Sequence, residues 1–137
     1  MTITTHSEAE TATLSSRIAE KLCGGEVILL NGRLGAGKTA FTKGLAKGLG
    51  ITETVTSPTF TIMKEYKGRL RLYHFDMYRI VDPSETEELG LDELLYDPEG
   101  VCVIEWNKFP SLKNTITVDI EYVGDNERKF TVKGVEL

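Results

Sequence analysis

The sequence predicts an α/β fold: a three-layer domain on a small parallel sheet, with antiparallel hairpin strands added around it. Three observations carry that expectation. Residues 27–30 and 101–104 are short aliphatic runs, the composition of strands buried on both faces. The first run leads through a glycine-rich loop, residues 31–37, into an amphipathic helix, the order expected of a parallel α/β unit. Beyond Phe60 the apolar period shortens from about four residues to about two, the spacing of strands.

Each element has its own signal. Ser7 with Glu10 three residues later makes a capping box. Leu14, Ile18 and Leu22 then recur every fourth residue, so residues 7–23 read as a helix that Gly24 and Gly25 stop. Phe41, Leu45 and Leu49 repeat the pattern over residues 39–49, closed by Gly50. Residues 61–66 and 69–75 read as strands joined at Lys67 and Gly68. In the second of them Leu70, Leu72 and His74 face one way and Arg71, Tyr73 and Phe75 the other. Asp82 and Pro83 open an acid-rich helical stretch at 84–89, which Gly90 breaks before residues 91–96. Residues 97–100 turn the chain into a strand at 101–106. Ile116, Val118, Ile120 and Tyr122 alternate, residues 124–126 turn, and Phe130 and Val132 alternate again. No repeat or linker divides the chain, so residues 1–137 are expected to form one domain.

Composition narrows the function. With 40% hydrophobic and 27% charged residues the chain belongs with folded proteins. Sixteen Lys and Arg against 21 Asp and Glu leave a net charge of −5, which argues against gripping nucleic acid directly. Any RNA is expected to be held by a partner. Cys23 and Cys102 have no metal or redox spacing, and Cys102, inside an apolar run, reads as a buried thiol. Residues 1–14 are polar and lack the apolar core of a signal peptide, and no apolar run approaches the length that spans a bilayer. The expectation is a cytoplasmic protein without a membrane partner.

The strongest chemical signal is Gly32, Arg33, Leu34, Gly35, Ala36, Gly37, Lys38 and Thr39, a full match to G-x-x-x-x-G-K-[ST]. Glycines let the backbone wrap so that several N–H groups converge on phosphate oxygens, and the following helix adds the positive end of its dipole. Lys38 can reach the terminal phosphates of a nucleoside triphosphate, and the Thr39 hydroxyl can ligate Mg²⁺. The motif sits between a buried strand and a helix, the context it requires. The fold predicted is therefore of the P-loop NTPase type. A P-loop also needs a carboxylate at the end of a buried strand, and Glu105 follows residues 101–104 in that position. Asp76, ending the strand that holds His74, is a second candidate or else a turn-capping residue. Thr56, Ser57 and Thr59 surround Pro58 in a loop that suits a γ-phosphate switch or an ordinary turn. Trp106 reads equally as core or as a partner anchor, and Glu85, Glu87 and Glu88 as a solvated helix start or a dock for a basic partner.

Taken together, the 32–39 loop, Ser57-Pro58-Thr59-Phe60, His74-Phe75-Asp76-Met77-Tyr78-Arg79 and Glu105-Trp106 resemble the TsaE family over nearly the whole chain. The resemblance implies a small, slow, Mg²⁺-dependent ATPase that supports TsaB- and TsaD-type partners. Their complex attaches threonylcarbamoyl to adenosine 37 of tRNAs reading codons that begin with A. It implies that Thr39, Glu105 and Asp76 hold magnesium, and that Lys38, Asp76, Glu105 and the switch residue Thr59 serve hydrolysis. It adds Thr11, Ala40 and Arg128 to the loop as nucleotide contacts, with Arg79 a candidate for stabilising transferred phosphate. Arg33 stands where the family usually carries Asp, and Asn107 and Lys108 also depart from its pattern; neither change removes a phosphate or metal ligand. The competing readings are a small kinase, for which 137 residues leave little acceptor pocket, and a nucleotide-sensing adaptor that does not hydrolyse.

Overall fold

Local signals start and stop the elements. The computed structural model describes residues 1–33 and 37–137. Strand β1 (Thr2–Thr5) precedes helix α1 (Glu8–Glu20). Ser7 caps that helix by accepting the Glu10 N–H at 3.0 Å, while the Glu10 carboxylate accepts the His6 N–H at 3.1 Å. Strand β2 (Val27–Asn31), helix α2 (Lys38–Gly48), strands β3 (Met63–Tyr66) and β4 (Arg71–Asp76) and the one-turn helix α3 (Glu85–Glu88) follow. A 3₁₀ turn (Leu91–Leu94), β5 (Gly100–Glu105), β6 (Thr115–Tyr122) and β7 (Arg128–Lys133) complete the order. No helix among the described residues is long and apolar enough to cross a membrane.

Among the described residues seven strands form one sheet, ordered β1-β7-β6-β2-β5-β4-β3. Its centre is parallel: β2 pairs with β5 and β6, and β5 with β4. Antiparallel strands flank this centre, β7 and β1 beyond β6 and β3 beyond β4. The α/β class holds, with a parallel part larger than the hairpin pattern alone suggests, because β4 and β6 each belong to a hairpin and also join the core. A strand in a hairpin has a second edge, and sequence alternation does not say what pairs with it. Some details also differ. Residues 2–5 form an edge strand on β7 where the polar composition suggests none, β3 begins at Met63 rather than residue 61, and β5 ends at Glu105 rather than Trp106.

Alternation along the central strands builds two cores. Ile28, Leu30, Leu72, Val101 and Val103 face α1 and α2, meeting Leu14, Ile18, Phe41 and Leu45. Val27, Tyr73, Phe75, Cys102 and Ile104 point to the other face, covered by Met77, Ile80, Leu91 and Phe109. Period two then places His74, Asp76 and Glu105 on the helix-bearing face. The Tyr73 hydroxyl donates to Asp97 at 2.7 Å, which pins the turn before β5 and holds that carboxyl below its usual range.

The two helices touch through small residues. Ser16 Oγ donates to the Gly44 carbonyl at 3.0 Å across the interface. A Cβ on Gly44 would fall 2.0 Å from Ser15 Oγ and 2.7 Å from the Ala12 Cα. Gly44→Ala therefore gains about 1 kcal/mol of helix propensity but forces backbones apart, an overpacking cost of about 1–3 kcal/mol. The expected outcome in urea unfolding is net destabilisation, with the midpoint moving down. Burial also pushes the Cys102 thiol up to about 12, whereas Cys23 is exposed. Native protein is expected to release one equivalent of colour with a thiol reagent, and the second only after unfolding.

Candidate functional site

Three parallel strands deliver their carboxyl ends to one place. At the end of β2, Asn31 Nδ2 donates to Asp119 Oδ1 of β6 at 2.9 Å, and the chain then enters the glycine loop. It emerges at Gly37, whose φ of +105° lies in the left-handed region that glycine tolerates, and α2 begins at Lys38. Next to β2, β5 pairs Glu105 with Leu30; next to β5, β4 pairs Asp76 with Glu105. The carboxyl edge of a parallel sheet is where such folds bind ligands.

Lys38 is only 6% exposed. Its ammonium stands 3.8 Å from Glu105 Oε1 and 4.3 Å from the centre of the Trp106 ring. A charge-assisted hydrogen bond would be nearer 2.7–2.9 Å, so this pairing leaves N–H donors available to an incoming oxyanion. Trp106 takes a φ of +53°, which ends β5 and turns the indole beneath Lys38, with the Tyr78 ring edge-on at 5.2 Å. The other Glu105 oxygen, Oε2, is 2.5 Å from His74 Nε2.

Asp76 is held from two sides. Its Oδ1 accepts the Tyr78 N–H and its Oδ2 the Thr59 hydroxyl, each at 3.1 Å, and Thr59 Oγ1 is 2.6 Å from Ser57 Oγ. The loop carrying Thr59 folds back because Pro58 accepts the Ile62 N–H at 2.8 Å. The Ile62 carbonyl in turn accepts the Asp76 N–H at 2.7 Å. Ile62 pays for this with a φ of +67°, strained for a β-branched residue.

These groups wall one cleft of about 280 Å³. Of the residues singled out in the sequence, Gly37, Lys38, Thr39 and Ala40 line it from α2 and its cap. Thr59, Asp76, Glu105 and Arg128 line it from the other side. Arg128 donates to the Gly124 carbonyl at 2.9 Å, stacks its guanidinium 4.6 Å from the Tyr122 ring centre and runs past Gly37. Thr11 is buried elsewhere, its hydroxyl 2.8 Å from that of Thr5, and does not line the cleft. Gly32 and the exposed Arg33 are also outside its lining, and Leu34, Gly35 and Ala36 lie outside the described residues. The exposed Arg79 sits over the Phe60 ring at 5.6 Å. Glu8 is a lining residue that sequence reasoning missed; its signal, an acid in the first turn of a capped helix, reads as dipole compensation. Trp106, left open in the sequence, is a wall of the cleft.

Chemically the cleft has two ends. The amino end of α2 with the Lys38 ammonium suits an anion. The Thr39 hydroxyl and the carboxylates of Asp76 and Glu105 are hard oxygen donors of the kind that Mg²⁺ takes.

Comparison with known proteins identifies the family. The family model described as Threonylcarbamoyl adenosine biosynthesis protein TsaE matches residues 5–130. A tRNA threonylcarbamoyladenosine biosynthesis protein TsaE of Bacillus subtilis (strain 168) is 50% identical over 117 residues, 81% of this chain and 71% of that protein. The protein of the same name from Treponema pallidum (strain Nichols) is 42% identical over 135 residues, 96% of this chain and 99% of its own. Among solved structures, the crystal structure of Bacillus subtilis YdiB superposes with a TM-score of 0.79 at 40% identity, covering 96% of this chain and 83% of that one. With a match across most of its length and relatives at this level of identity, the chain belongs to the TsaE family of threonylcarbamoyl adenosine biosynthesis proteins.

Proposed function

We propose that this chain is a weak Mg²⁺-dependent ATPase that binds ATP in the cleft. It acts in the cytoplasm as an accessory to TsaB- and TsaD-type proteins in the threonylcarbamoyl modification of adenosine 37. The observation that carries the reading is the convergence of Lys38 at the start of α2 with Asp76 and Glu105 on adjacent strand ends. In a chain of this family, one cationic and one carboxylate-bearing end of a single cleft are what a metal-bound triphosphate requires. The net charge of −5 supports contact with tRNA through the partners rather than directly.

The metal fits the residues present. Mg²⁺ is ordinarily held by one or two carboxylates together with substrate phosphates and water. Thr39, Asp76 and Glu105 would hold it, and it would supply charge neutralisation at the β- and γ-phosphates. The chain's own groups do the rest. Lys38 leaves Glu105 for the phosphates, backbone N–H groups from the loop and the first turn of α2 bind oxygens, and Arg128 flanks the nucleotide. Either Asp76 or Glu105 orients the attacking water, and Thr59, already on Asp76, couples loop 56–62 to the nucleotide state. No strong general base is present in this set, which is consistent with slow turnover by the isolated protein.

Trp106 is the one tryptophan of the chain, so its fluorescence reports on the cleft. Titration with ATP and Mg²⁺ is expected to change that emission and saturate. Lys38→Ala is expected to weaken binding roughly 10- to 100-fold, the loss of about 1.5–3 kcal/mol of charged hydrogen bonding. Glu105→Gln is expected to keep nucleotide binding in the absence of metal, and to lose both the gain that Mg²⁺ adds and phosphate release. Immobilised wild type is expected to capture a TsaB- and TsaD-type pair with ATP and not with ADP, and the pair to raise its hydrolysis rate. Fast turnover by the isolated chain that the pair does not alter would contradict the accessory role.

A further inference from the structure

Glu105 has a neighbour that the proposed chemistry does not use. His74 is 1% exposed, and its Nε2 stands 2.5 Å from Glu105 Oε2. Its other ring nitrogen, Nδ1, is buried and has no hydrogen-bond partner among the described residues. This asymmetry selects the tautomer. With hydrogen on Nδ1, a buried donor would go unmatched while Nε2 turned a lone pair toward a carboxylate oxygen. With hydrogen on Nε2, the contact becomes a donated bond and Nδ1 keeps only a bare lone pair, the lesser loss. The backbone that carries the ring is held on both sides, because β4 is paired on both edges, with His74 opposite Val103 of β5 and Lys64 of β3.

We propose that His74 is a positioning residue: it donates Nε2–H to Oε2 of Glu105 and so reserves Oε1, the oxygen on the Lys38 side, for the metal-holding side of the cleft. A carboxylate gripped through one oxygen loses its freedom to rotate and to meet Lys38 with both. This is the arrangement by which outer groups orient metal-binding ones. The assignment rests on the magnesium–nucleotide reading of the cleft.

The test uses calorimetric titration of the whole chain with ATP, once with Mg²⁺ and once with a chelator, on wild type, His74→Gln and His74→Phe. Phe keeps a ring without the donor, and Gln returns an N–H near the place of Nε2. The metal-dependent gain in affinity is expected to fall roughly 10- to 100-fold in His74→Phe. Binding without metal changes less than this, and His74→Gln stays near wild type. In wild type, ¹⁵N shifts of the imidazole are expected to show hydrogen on Nε2. A His74→Phe protein with the full metal-dependent gain, or a His74→Gln protein as weak as His74→Phe, overturns the proposal. So does hydrogen on Nδ1 with none on Nε2, a result that stands even where His74→Phe fails to fold. Wild type that binds no ATP defeats the nucleotide reading, whereas wild type that binds it equally with His74→Phe defeats only the role of His74.

Discussion

The register between β4 and β5 sets Asp76 beside Glu105, and the cleft is arranged around that pair. Side chains on a strand alternate, so a slip of one residue would turn His74 and Asp76 from the helix-bearing face to the other core. That slip is prevented by apolar burial on both sides: Leu72 and Val103 belong to one core, Tyr73, Phe75, Cys102 and Ile104 to the other. Burying two polar strand ends is possible because the adjoining aliphatic residues hold the strands in place. The hydrophobic sheet is thus what gives the carboxylates their geometry, and the loop and helix need only bring Lys38 to them.

Charge is distributed to the same end. The chain is acidic as a whole, yet its cleft opens on a helix amino terminus with a buried ammonium. That ammonium leans on Glu105 and the Trp106 face, two partners that together leave its donors underused. A pair of this kind contributes little net stability once desolvation is subtracted. On the proposed reading, its value lies in keeping Lys38 and Glu105 in reach of a ligand that can separate them. The strained Ile62 tells a similar story on the opposite wall, where its carbonyl ties loop 56–62 to the Asp76 backbone while Thr59 ties it to the carboxylate.

Much of this was legible in the residues. The capped start of α1, the succession of β2 and α2 and Glu105 at the end of an aliphatic strand each depend on local pattern, and each stands where the pattern puts it. What was not legible depends on chain segments meeting. β1 is a four-residue edge strand of threonines and one isoleucine, too polar to announce itself, and it exists by pairing with β7. The parallel pairing of β6 with β2 joins segments about 90 residues apart, which alternation within β6 does not specify. Glu8 reaches the cleft only because α1 packs beside α2, and Trp106 faces it only because the backbone leaves the strand at a positive φ. Thr11, assigned by family likeness, is engaged with Thr5.

The central claim is that the cleft between α2 and the ends of β4 and β5 takes a magnesium-bound triphosphate. The most direct measurement is a set of amide ¹H–¹⁵N spectra recorded as ATP and Mg²⁺ are added to the labelled chain. The account requires the largest shifts at residues 37–40, 59, 76 and 105–106, saturating together. Spectra left unchanged at millimolar nucleotide, or shifts gathered on another surface with these residues undisturbed, would contradict it.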